Sequence, residues 1–139
     1  MLTLRSPVTG LLRLRGEDDW GSGAYGAARG DRLHRGIDIV AQPGDPILSP
    51  MDGELVREAA PYEDDTRYSG VLLRGHGPWE GLEIKLFYLD GPHEGRVCAG
   101  DPIGTAQDLG PKYSGITNHI HVEVRRQGDL LDPTPLFDS

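Results

Sequence analysis

Glycine and proline punctuate this chain so often that no long helix has room to form. Twenty glycines and 11 prolines are spread along its 139 residues. Glycine costs a helix interior about 1 kcal/mol and proline about 3, whereas both suit turns. No twelve-residue segment carries a clean 3.6-residue apolar period, which excludes a helical bundle. Short alternating or apolar runs stand between the turns instead. They are Ile37–Ala41, Pro46–Pro50, Gly53–Arg57, Val71–Arg74, Leu82–Leu89, Ile103–Ala106 and His119–Arg126. These runs read as strands, and residues 1–15 as two short strands about a turn at Pro7–Gly10. The expected architecture is all-β: a mostly antiparallel sheet or sandwich with long loops, in a single domain over residues 1–139.

Fourteen basic and 22 acidic side chains give a formal net charge of −8. Nucleic acid and anionic membranes both demand a positive patch, so neither is an expected partner. The apolar runs are too short to span a bilayer. MLTLRSPVTG at the N-terminus carries no apolar stretch before a small-residue cleavage site, so no secretory signal is visible. The single cysteine, Cys98, cannot form an internal disulfide and reads as a half-buried core residue.

Two short motifs carry chemistry. In Asn118-His-Ile-His-Val-Glu-Val124, alternate side chains share a strand face. His119, His121 and Glu123 therefore point one way, and Ile120, Val122 and Val124 point into the core. The pair serves a metal or its water, or else stands exposed on a solvated face; the spacing alone leaves both open. In His34-Arg-Gly-Ile-Asp38, a loop enters a strand, and Asp38 faces away from Ile37 and Ile39. Its carboxylate binds a metal or a cation, or caps the loop. Taken together, His34, Asp38 and one histidine of the pair form a two-histidine, one-carboxylate set. Zinc suits such a set, because three protein ligands leave a position for water.

These motifs resemble peptidase family M23, the lysostaphin-like zinc endopeptidases of bacterial peptidoglycan. SPVTG, HRGIDIVAQPGDPILSPMDGELV, GDPIGTA, NHIHVEV and LDPTPLF carry the resemblance across nearly the whole chain. It implies the family's duplicated hybrid-motif fold, with His34, Asp38 and His121 as Zn2+ ligands. His119 would assist the zinc-bound water that attacks the peptide bond. The substrate would be peptidoglycan peptide or another peptide or glycan ligand, and the site of action the cell wall, periplasm or extracellular space. A monomer is expected. In active family members a further histidine precedes a leucine, where this chain has Tyr88 before Leu89. Tyr88 would then serve as an oxyanion donor. The same departure marks the family's leukocyte cell-derived chemotaxin 2-like branch, which GSGAYGAARG, LVREAAPYEDD, IKLFYL and KYSGITNHIHVE also resemble. That branch implies the alternative of a catalytically weak or inactive zinc-containing binding or signalling module.

The other polar and aromatic residues have plainer readings. Trp20 and Tyr25 anchor their loop or line a groove, and Trp79 could flank that groove. His76 reads as an exposed turn residue. His93, five positions after Tyr88, could fold back to replace the absent histidine. Asn118 contacts substrate or closes the preceding turn, and Glu123 pairs with an arginine in preference to a metal.

Overall fold

Alternating apolar side chains on short strands can be buried only against another layer, and here two sheets share one core. The computed structural model describes residues 3–18, 20–29 and 32–137. Among them no α-helix forms, and every pairing between strands is antiparallel. A hairpin of β1 (Ala28–Arg29) and β2 (Arg32–Leu33) leads into β3 (Ile37–Val40). There follow β4 (Pro46–Leu48), β5 (Gly53–Glu58), β6 (Gly70–Gly75) and β7 (Leu82–Phe87). The remaining strands are β8 (Leu89–Asp90), β9 (Gly95–Val97), β10 (Pro102–Ala106), β11 (His119–Arg126) and β12 (Asp129–Leu131).

The larger sheet runs β12-β11-β7-β6-β5-β9, and the smaller β4-β10-β8. β11 has partners on both edges: β7 along one, and β3 followed by β12 along the other. Ile120, Val122 and Val124 of β11 are fully buried beside Ile37 and Ile39 of β3 and Ile84 and Leu86 of β7. Ile47 of β4, Leu89 of β8 and Ile103 of β10 bring the smaller sheet into the same cluster. Each such side chain contributes about 1.5–3 kcal/mol on leaving water. This burial fixes the register of β3 on β11, because a one-residue slip would send the whole apolar set outward.

Three readings of the sequence need correction. Residues 1–15 form no paired strands among the described residues: Leu4 bridges Phe137 and Leu14 bridges Ile39, each in isolation. Pro7 and Gly10 interrupt any ladder there, yet Leu4 still reaches the core. Leu82–Leu89 is not one strand. β7 ends at Phe87, Tyr88 adopts φ +74°, and Leu89 opens β8 in the other sheet. Cys98 is exposed, since it lies in the turn that Asp101 closes by accepting the Cys98 N–H at 2.8 Å.

Candidate metal centre

Register builds the centre. His121 of β11 lies opposite Asp38 of β3 on one edge and Phe87 of β7 on the other. The three form one row on the face turned away from the core, and the Phe87 ring stacks on His121 at 14°. His34 reaches the row from the segment before β3, where Gly36 lies against the Val122 carbonyl with no room for a side chain.

Carbonyl partners fix which nitrogen carries the proton in His34 and His119. A carbonyl oxygen can only accept, so His34 donates Nδ1–H to Ala24 O at 3.0 Å and keeps a lone pair on Nε2. His119 likewise donates Nδ1–H to Thr117 O at 2.8 Å. Burial works to lower the His121 pKa, but Asp38, 3.0 Å from Nδ1, and Glu123, 3.6 Å from Nε2, outweigh it and raise it. His34 Nε2 and His121 Nδ1 lie 3.0 Å apart, with Asp38 Oδ1 3.2 and 3.0 Å from them. Three potential ligand atoms, one from each residue, thus converge on a single point, as a cation site requires. Donors about 2.0–2.2 Å from a tetrahedral zinc lie about 3.3–3.5 Å from each other, close to the spacing seen. Imidazoles whose second nitrogens donate to a carbonyl or face a carboxylate are also the usual metal-bound arrangement. His34, Asp38 and His121 thus form a group able to hold a metal ion.

Burial works against ionisation of Asp38. Its hydrogen bonds with His121 and His34, and the charges of His119 and His121, outweigh that and hold the carboxyl far below the usual range. Burial also drives the His119 pKa down, so its ring is neutral near pH 7.

The centre forms the floor of an open cleft of ≈ 530 Å³. Trp20, Tyr62, Tyr113 and Ile116 from three loops wall it, with Arg35 and Lys85 also in the lining. Tyr88 packs edge-on against His119, ring centres 5.5 Å apart. Its N–H donates to Ser69 O at 2.7 Å and its carbonyl accepts from Gln107 N at 2.8 Å, which pins the residue at positive φ. For a bulky side chain that conformation costs of order 1–3 kcal/mol and tends to mark functional positions. The Tyr88 hydroxyl lies 2.8 Å from Tyr62 Oη, which also bonds to Tyr113 Oη. Burial, partly offset by the Tyr62 hydrogen bond, pushes the Tyr88 phenol up to about 12, so it stays protonated and able to donate.

The remaining candidates separate clearly. Trp20 lines the cleft, and its indole N–H donates to Ser114 O. Tyr25 packs against the core instead. Trp79 lies in the single-turn helix Gly77–Trp79, also against the core and outside the cleft lining. His93 points at Ser69 Oγ, 3.4 Å away, and does not join the cleft lining. His76, half-buried, faces Glu54 at 3.7 Å. Asn118 closes its turn, donating to Ala41 O and Gln107 O and accepting from Leu109 N. Glu123 faces both His121 and Arg125. Arg15, Asp18, Tyr62 and Tyr113 escaped the sequence reading, since each sits in a loop with no local motif.

Comparison with known proteins places the site in a family. Residues 32–133, the stretch that contains all three donors, match the sequence profile of peptidase family M23. The chain belongs to that family. Among M23 relatives, leukocyte cell-derived chemotaxin-2 of Bos taurus is 34 % identical over 119 residues, covering 84 % of this chain and 74 % of the relative. Among solved structures, Helicobacter pylori Csd3 matches with TM-score 0.67 at 19 % identity, covering 99 % of this chain and 35 % of that one. A zinc containing peptidase from Vibrio cholerae matches with TM-score 0.61 at 20 % identity, covering 88 % and 40 %. This chain therefore spans only 35–40 % of these solved chains, and the likeness establishes the all-β M23 fold.

Proposed function

We propose that residues 1–139 act as a single, monomeric zinc metallo-endopeptidase domain that hydrolyses peptide crosslinks or stem peptides of bacterial peptidoglycan. Its place of action would be the cell wall, periplasm or extracellular space. The convergence of His34 Nε2, Asp38 Oδ1 and His121 Nδ1 at the floor of an open cleft carries this reading. Membership of a peptidase family supports it. A zinc ion held by these three residues supplies polarisation of a carbonyl and acidification of water.

The chain's own groups do the rest. His119 presents Nε2, free of a proton, 3.4 Å from Asp38 Oδ2. It can take a proton from the attacking water and pass it to the leaving amine. Tyr88 keeps its O–H and can donate to the oxyanion as the carbonyl becomes tetrahedral. Trp20, Tyr62 and Tyr113 hold an extended peptide over the centre.

Mass spectrometry of peptidoglycan fragments incubated with zinc-loaded protein tests this. New peptide termini are expected with the native chain and none with His121→Ala. Tyr88→Phe should lower turnover by about 10²-fold, the usual cost of one oxyanion donor. Undiminished turnover in that variant would remove Tyr88 from the chemistry. A second reading, a zinc-containing binding or signalling module, is favoured by Tyr88 standing where active members have histidine, and by its hydroxyl being tied to Tyr62. Absence of release from every crosslink type, by protein carrying one zinc per chain, would select that reading.

A further inference from the structure

We infer that Arg15 is a positioning residue that decides which oxygen of Asp38 faces the metal and so sets the affinity of the centre. The inference rests on the metal-site reading above.

Arg15 is 3 % exposed, an unusual state for a guanidinium. Its Nε and Nη2 both approach Asp38 Oδ2 at 3.1 Å, while Nη1 donates to Asp18 Oδ1 at 2.8 Å and Gly21 O at 2.9 Å. Asp38 is thereby divided. Oδ2 accepts from Nε and has Nη2 of the same planar fork beside it, and Oδ1 is turned towards His34 and His121. The backbone reinforces the division. Arg15 N–H donates to Asp38 O, Asp38 N–H to Gly23 O, and Gly23 N–H to Arg15 O. Gly23 is required for this approach, because a Cβ there would lie 2.6 Å from Arg15 O.

A fixed cation beside a divalent metal site would ordinarily repel the metal. Asp18 offsets that charge, since its Oδ1 accepts from Arg15 Nη1 at 2.8 Å. Asp18 also accepts from Trp20 N and Thr117 N. Thr117 is the residue whose carbonyl orients His119. Loss of the guanidinium would therefore free Asp38 to rotate more than it would relieve repulsion.

The test uses apo protein and two substitutions, Arg15→Met and Arg15→Lys, with zinc affinity measured against a chromophoric chelator. Losing an outer partner of a ligand weakens metal binding by about 10–100-fold, and Arg15→Met should fall in that range. Arg15→Lys keeps the charge and one donor, so it should fold as the native chain does and bind with intermediate affinity. Cobalt(II) supplies a readout that a general loss of stability would not move. Its visible bands should weaken in Arg15→Met as Asp38 becomes free to bind through both oxygens. Native-like affinity and cobalt spectra in both variants would overturn the inference, with the metal site itself intact. Failure of the native chain to bind zinc would overturn the metal-site reading and this inference with it.

Discussion

Gly36→Ala is expected to destabilise the protein by about 3 kcal/mol and to abolish high-affinity zinc binding. A Cβ at this position would lie 2.2 Å from the Val122 carbonyl oxygen and 3.0 Å from His121 Cε1. Val122 and His121 belong to β11, and their partners on β3 are Ile37 and Asp38. Backbone cannot yield as the far end of a side chain can, so relief requires moving β3 away from β11. That motion separates Asp38 from His121 and exposes Ile37 and Ile39 together. Gly16→Ala is the control, because a Cβ there meets nothing within 4 Å. It should stay within about 0.5 kcal/mol of the native chain. Urea denaturation of both variants, with and without zinc, distinguishes them. Native-like stability and zinc binding in Gly36→Ala would show that the close approach of the two strands does not support the centre.

Removing zinc is expected to lower Tm on the order of 10 °C. His34 and His121 are 87 residues apart in sequence, so an ion bound to both closes a long loop onto the central strand. The apo state leaves three acceptors facing one another in a largely buried position, with only protons to separate them. Zinc present at about 1,000 times its Kd would add about 4 kcal/mol to the folded state, provided the unfolded chain binds it weakly. Thermal melts before and after chelation measure the difference. An unchanged Tm, with metal loss confirmed by elemental analysis, would mean that the three side chains are held without help from an ion.

The face of β11 was legible because strand alternation is strict wherever one side is fully buried. Ile120, Val122 and Val124 vanish into the core, and that sends His119, His121 and Glu123 to the other side. The same rule placed Asp38 opposite Ile37 and Ile39. It failed at Tyr88, where the chain leaves the larger sheet for the smaller one and takes a positive φ. The strand-like stretch LEIKLFYL gives no warning of such a break. Arg15 and Tyr62 were illegible for a different reason. Arg15 meets Asp38 across 23 residues, and Tyr62 meets Tyr113 across 51, through loops whose course no local pattern dictates. The turn at Asn118 was readable only as one of two options, and its three hydrogen bonds to Ala41, Gln107 and Leu109 decide for closure of the loop.

Calorimetric titration of zinc into apo protein, for the native chain and His121→Ala side by side, tests the account most directly. One ion per native chain, and loss of that site in a His121→Ala protein that remains folded, is the predicted result. Equal binding by the two proteins, or none by the native chain, would contradict a centre built from His34, Asp38 and His121.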